Sequence, residues 1–285
     1  MNCFLCPRKC GIDRDNKNGF CSQKNVLKIA NYSLHEWEEP CISYKKGSGA
    51  IFFSGCSLKC VYCQNYEIST LNVGQEITVN QLADIFKELD EKADNINLVN
   101  PTHFSSLIYE AVKIYKPKNP IIYNTHGYEL ESEIEKVSKF VDIFLTDLKY
   151  YSKELSLKYS QVPNYFEVAS KALNKMLLLK PNKFDNGKML QGVIVRHLIL
   201  PNCYQDSKKI LEYLSKHHKD ITLSLMSQYI PCGKASEFNE INRKITQDEY
   251  DKIIEYAIKL GLDGYMQEIS SADTCFIPKF SNKVI

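Results

Sequence analysis

The stretch Gly55-Cys56-Ser57-Leu58-Lys59-Cys60-Val61-Tyr62-Cys63-Gln64-Asn65 constrains this chain more than any other. It places three thiols at C-x3-C-x2-C, on a loop that follows the apolar run Ala50-Ile51-Phe52-Phe53. Cysteine thiolates are the usual protein ligands of iron–sulfur clusters, and a cubane has four irons to ligate. Three ligands on one short loop leave one iron open to something that is not protein. The bland alternative is a zinc knuckle or free thiols, but structural zinc takes four ligands in a closed site. The spacing therefore points to a 4Fe–4S cluster on Cys56, Cys60 and Cys63.

Cys3, Cys6, Cys10 and Cys21 form a second constellation, punctuated by Pro7, Gly11 and Gly19. This segment has too little apolar content to fold alone, and a metal would supply the missing stability, since binding to such a site is folding free energy. Four cysteines can close a tetrahedral zinc site or hold a complete iron–sulfur cluster. The spacings fit neither a zinc ribbon nor a bacterial ferredoxin run, so the metal stays open, with reduced thiols on an arm as the alternative.

Eleven cysteines in a small secreted chain would mean disulfides. In 285 residues without an N-terminal hydrophobic region, metal binding or catalysis is the expected use, in a cytoplasmic protein. No run approaches the roughly 18 apolar residues of a membrane span. The net charge of +2, with scattered lysines, gives no reason to expect a nucleic-acid partner.

Apolar runs of four to eight residues alternate with amphipathic segments from residue 50 onward, the mark of parallel βαβ units. The pattern predicts strands at 50–53, 97–100, 121–124, 143–148, 193–200 and 222–229, and a short late strand near 264–267. Helices are predicted at 78–89, 105–116, 130–139, 165–177, 206–217 and 246–260. These units are too few for an eight-stranded barrel, which takes about 250 residues by itself. The expected architecture is α/β: a partial (β/α)6 TIM-like barrel over residues 46–285, with a cysteine-rich metal-binding segment at 1–45. Val26–Ala30 and Tyr32–His35 read as extended chain leading to Trp37-Glu38-Glu39-Pro40.

Ligands in such folds sit at the carboxyl ends of the strands. The runs end in Asn100-Pro101-Thr102-His103, Asn124-Thr125-His126-Gly127, Asp147-Leu148-Lys149, Arg196-His197 and Ser227-Gln228. An Asp or Arg inside an apolar strand costs several kcal/mol unless paired or bound to a ligand. Asp147 and Arg196 are thus expected to face the pore and a polar ligand, or else to pair with a neighbour there. A lone histidine at such a position, as at 103, 126 or 197, is as often structural as functional.

The loop at 55–65, the segment Tyr123–Glu129, the triplet Asp147-Leu148-Lys149 and Arg196 together resemble the radical S-adenosylmethionine superfamily. They resemble in particular the pyruvate formate-lyase activating enzymes and their relatives with an N-terminal cysteine motif. The resemblance runs from residue 3 to about 280 and implies a radical SAM barrel. It also implies that the open iron chelates S-adenosylmethionine, whose reductive cleavage yields a 5′-deoxyadenosyl radical for hydrogen abstraction. It places Tyr62 near the adenine, and Asp147 and Lys149 near the cofactor. Arg196 falls on its carboxylate, and Asn124, Thr125 and Asp147 around a monovalent cation. Asn124 stands where the family commonly has an aspartate. A Gly-Gly-Glu motif at the second strand is replaced by Asn100-Pro101-Thr102, leaving Asn100 or Thr102 as the polar partner there.

Several functions share this chemistry. One is a glycyl-radical activase acting on a partner protein, with a flavodoxin or ferredoxin as electron donor. A second is a catalyst acting on a small molecule or peptide. A third is a cluster-bearing binding module without catalysis. Known activases place extra thiols after the first loop, whereas here they precede it. Cys41, Cys203, Cys232 and Cys275 have no sequence-assigned role.

Overall fold

The protein is described by a computed structural model covering residues 3–273 and 278–285. Cys275 lies outside the described residues. Strands β1 (Leu27–His35) and β2 (Ser48–Phe53) pair antiparallel, with Ile29 opposite Phe53 and His35 opposite Ser48. The thiol loop follows, then the single turn α1 (Tyr66–Ser69), the edge strand β3 (Gln75–Ile77) and helix α2 (Val79–Lys92). The βα units continue with β4 (Ile96–Val99), α3 (Ser105–Ile114), β5 (Ile121–Thr125), α4 (Glu131–Val137) and β6 (Ile143–Asp147). Next come α5 (Lys153–Ser160), α6 (Tyr165–Leu179), a hairpin of β7 (Lys183–Asp185) with β8 (Lys188–Leu198), and α7 (Tyr204–His217). Strand β9 (Thr222–Met226), helix α8 (Gln247–Lys259) and β10 (Gly264–Met266) complete the chain.

The sheet runs β10-β9-β8-β6-β5-β4-β2-β1-β3. From β2 to β10 every neighbouring pair is parallel, and β1 and β3 add antiparallel strands at one edge. Among the described residues β3 and β10 do not pair, so the sheet is curved but open, as the count of units led us to expect. The central strands are buried on both faces, which is why Ile-Ile-Tyr and Ile-Phe-Leu read as continuous apolar runs rather than alternating ones. Alternation still sorts the side chains. Tyr123, Phe144, Val193 and Val195 join the core beneath the helices, whereas Ile122, Leu145 and Ile194 cluster on the concave face with Cys41, Ile42 and Met189. Cys41 is therefore a packing residue. Among the described residues no helix is long and apolar enough to cross a membrane.

Helix α2 starts with a capping box: the Thr78 hydroxyl accepts from Gln81 N, and the Gln81 side chain accepts from Thr78 N. Thr78→Ala removes one side of that exchange and is expected to cost about 1 kcal/mol. Urea unfolding measures it: a lower midpoint at unchanged slope is the expected result, and identical midpoints would contradict it.

Candidate active site

The thiol loop crosses the carboxyl edge of the sheet and is locked from three sides. Gly55 opens it at φ +85°, where an added Cβ would lie 2.3 Å from the Cys21 carbonyl oxygen, so only glycine fits the turn. From the sheet, Asn100 Nδ2 donates to the Gly55 carbonyl and a ring nitrogen of His103 meets the Ser54 carbonyl at 2.7 Å. His126 Nε2 meets Ser57 Oγ at 2.9 Å while its Nδ1 accepts from Tyr128 N. From α5, Tyr159 O accepts from Val61 N at 2.9 Å, and Ser160 Oγ lies 2.9 Å from Cys60 Sγ.

Cys56 and Cys60 are buried and Cys63 is partly so. Burial, then the charges of Cys60 and Cys63, push the Cys56 thiol up to about 12. Burial followed by Cys60 takes Cys63 to about 11. Metal loading must displace these protons. The donor set fits a thiolate-bound cluster: buried thiols within electrostatic reach of one another, with Leu58 N donating to Cys56 Sγ at 3.4 Å. Among the described residues no three His, Cys, Asp or Glu side chains converge as a single metal ion requires. Tetrahedral zinc, with Zn–S of about 2.3 Å, would need sulfurs about 3.8 Å apart. A cubane holds its ligands further apart than a lone ion does.

Beside the loop a cavity of about 750 Å³ opens over the concave face. Cys60, Tyr62 and Cys63 line it together with Asn124, Asp147, Lys149, Arg196, Glu38 and Glu39. Tyr62 sits edge-to-face with Tyr150, Tyr159 and Tyr229, its hydroxyl 2.6 Å from that of Tyr150. Tyr150 in turn lies 2.8 Å from Ser160 Oγ, completing a polar chain from the cavity to Cys60.

Both charged strand residues are ion-paired. Asp147 Oδ2 accepts from Lys149 Nζ at 2.5 Å. Burial alone would lower the Lys149 pKa, but Asp147 and Cys60 hold it well above the usual range. Arg196 donates from Nε and Nη2 to both Glu39 oxygens, at 2.7 and 2.6 Å, and from Nη2 to Glu38. Burial would raise the Glu39 carboxyl, yet Arg196 brings it below its ordinary value. The two acids were invisible to sequence reasoning as partners. Their signal, paired carboxylates before Pro40, carries no address 157 residues away.

Thr102 and Thr125 are brought together, but on the helix side of the sheet. Both donate to Glu129 Oε1, Thr102 at 2.6 Å. Asn124 and Asp147 line the cavity while Thr125 points away, so these three do not share one face. Asn100 supports the loop and does not line the cavity. His197 is bonded to Leu148 O and Ser207 Oγ, and none of the three strand-end histidines lines the cavity.

Burial lowers His103 and His126 to about 3 and also lowers His197; burial raises Glu129 to about 7. A histidine lowered from about 6.5 contributes stability above that value and loses it as pH falls. A raised carboxyl contributes below its unfolded value of about 4.3 and loses it as pH climbs to the folded one. From pH 7 down to 5, three histidines oppose one carboxyl. The metal-free chain is expected to melt at lower temperature at pH 5 than at pH 7, and calorimetry showing the reverse would count against neutral histidines.

An open parallel barrel with a three-thiol loop at its carboxyl edge and a cavity beside it defines a cluster-dependent class of protein. Residues 50–201, just over half of the chain, match the family model described as the Radical SAM superfamily. An uncharacterized protein of Methanocaldococcus jannaschii is 31% identical over 272 residues, covering 92% of this chain and 76% of that one. A putative glycyl-radical enzyme activating enzyme of the same organism is 24% identical over 224 residues, covering 74% and 89%. Among solved structures, Streptococcus suis SuiB bound to S-adenosylmethionine aligns with TM-score 0.47 and 15% identity, over 75% of this chain and 45% of that chain. A domain of pyruvate-formate lyase-activating enzyme from Bacteroides vulgatus aligns with TM-score 0.39 and 13% identity, over 67% and 91%. The chain belongs to the radical SAM superfamily. Membership implies a 4Fe–4S cluster and S-adenosylmethionine binding.

Proposed function

We propose that this protein reductively cleaves S-adenosylmethionine at a cluster held by Cys56, Cys60 and Cys63, and uses the product to abstract hydrogen from a glycine of a partner protein. The observation that carries this reading is the cavity, which Cys60 and Cys63 line together with two ion pairs. Its volume lies within the roughly 300–1,000 Å³ of small-molecule sites. Bound there, cluster and cofactor would supply the 5′-deoxyadenosyl radical; the chain's own residues bind, orient and exclude water.

In this scheme Tyr62 meets the adenine, and Asp147 with Lys149 the ribose. Arg196, whose Nε and Nη2 are held by Glu38 and Glu39, offers Nη1 to the carboxylate. Fixing these groups before the ligand arrives lowers the entropic cost of alignment. Asn124 and Asp147 leave room for a monovalent cation, with Thr125 outside that set. A flavodoxin or ferredoxin would donate the electron. The activase reading draws support from the putative activating enzyme among the relatives. A second reading, a small-molecule or peptide substrate, is favoured by extra thiols that precede the loop rather than follow it. We place the protein in the cytoplasm.

The test is anaerobic reconstitution, reduction, and assay of 5′-deoxyadenosine. Product without any partner is expected at a slow rate. Reduced cluster that leaves S-adenosylmethionine intact would reject the reading and favour a binding module. Labelling of a partner's glycine position, against a small-molecule panel, separates the two substrate classes.

A further inference from the structure

The N-terminal thiols gather where the cavity's chemistry does not use them. Residues 3–26 form turns and bends with a single bridge position, tied by short turn bonds such as Cys3 N to Ile12 O, Gly11 N to Cys3 O and Gly19 N to Gln23 O. Gly11 N donates to Cys3 O, Lys9 N to Cys6 O and Phe20 N to Cys10 Sγ, so the four thiols sit on adjoining turns, and burial raises the Cys6 and Cys21 thiols with neighbouring cysteines adding to the rise. Cys10 is flanked by two left-handed residues, Lys9 and Gly11, and its sulfur accepts from Phe20 N at 3.4 Å. In the Cys56 loop, left-handed Gly55 and Lys59 precede Cys56 and Cys60, and Leu58 N donates to Cys56 Sγ at 3.4 Å. Among the described residues no three thiols of either set converge on the spacing of a single ion.

The two sets also interlock. Arg8 Nε donates to Ser57 O at 2.7 Å, and its guanidinium bears on Cys6, Cys10 and Cys56 alike. Lys59 Nζ donates to Ser22 Oγ at 2.7 Å, and the Cys21 carbonyl closes on Gly55. Arg14, bonded to His103 O and Lys24 O at 2.6 Å, adds positive charge beside Cys21. A segment with four thiols on adjoining turns, cationic neighbours, N–H donation to sulfur and little core of its own is suited to a ligand that holds it.

We propose that Cys3, Cys6, Cys10 and Cys21 ligate a second iron–sulfur cluster, a four-thiolate cubane seated against the Cys56–Cys63 loop. All four irons then have protein ligands, so this site binds no substrate.

The test uses the full chain expressed and purified anaerobically, with iron, acid-labile sulfide and zinc counted before any reconstitution. In the triple variant Cys56→Ala, Cys60→Ala, Cys63→Ala, about four irons and four sulfides per chain are expected to remain, with a reducible cluster signal by electron paramagnetic resonance. One zinc and no iron, or no metal at all, would overturn the proposal. Should the triple variant fail to fold, the unmodified chain decides: about eight irons without zinc supports the second cluster, and about four irons with one zinc rejects it. Since the triple variant cannot cleave S-adenosylmethionine, its iron count is independent of the activity proposed above.

Discussion

Cys60→Ala is expected to remove the cluster of the first loop and to abolish 5′-deoxyadenosine formation together. Cys60 is the middle one of the three proposed ligands, and its loss would leave two thiolates, too few to hold a cubane with one iron reserved for the cofactor. The expected loss exceeds the 10–100-fold (order of magnitude) seen for changes one layer out. That outer layer supplies a calibrated comparison in Ser160→Ala, which deletes the hydroxyl 2.9 Å from Cys60 Sγ and keeps all three ligands. Its iron content should stay near that of the unmodified protein while activity falls by about 10–100-fold. Full activity in Cys60→Ala would show that the chemistry resides elsewhere.

Arg196→Met is expected to be the most destabilising single change in the cavity. It strands Glu38 and Glu39, whose side chains are only 8% and 5% exposed, with no compensating cation. Breaking a buried pair in this way costs about 3–5 kcal/mol, because an uncompensated charge stays behind. Here two stay behind. Denaturant unfolding of the metal-free chain measures the loss apart from any effect on cofactor binding. Combining the change with Glu38→Gln and Glu39→Gln should restore much of the stability and none of the activity. If Arg196→Met unfolds like the unmodified chain, the acids do not depend on that guanidinium.

The strands were legible because central parallel strands bury both faces, and the runs at 121–125 and 143–147 leave no other reading. Asp147 and Arg196 stood out for the same reason: a charge inside such a run must meet a partner or a ligand. The sequence led equally to Asn124 and Thr125 as ligand contacts, yet adjacent strand residues face opposite ways. One of the two had to belong to the helix layer, and it is Thr125, on Glu129. Helix α5 was missed because Leu155, Leu157 and Tyr159 alternate like a strand; the signal available was Ser152, whose hydroxyl caps Leu155 N. The β7–β8 hairpin carried a plainer sign, Asn186-Gly187, with both residues at positive φ as a two-residue turn requires. The pairing of Glu38 and Glu39 with Arg196 was not legible by any local rule, since it is made only by tertiary packing between segments 157 residues apart.

Arg8 has a role beyond holding two loops together. Its three donors reach Ser57 O, Ser160 O and Gln161 O, so one side chain ties the N-terminal arm, the thiol loop and the C-terminal turn of α5. Segments joined in this way open as a unit rather than separately. Amide protons on the arm, on the loop and at the end of α5 should therefore exchange with solvent at a common rate. If both proposed centres are loaded, oxygen or a chelator that strips metal from one set of thiols would raise that rate in all three at once, so damage at one proposed centre would spread to the other as a shared local unfolding.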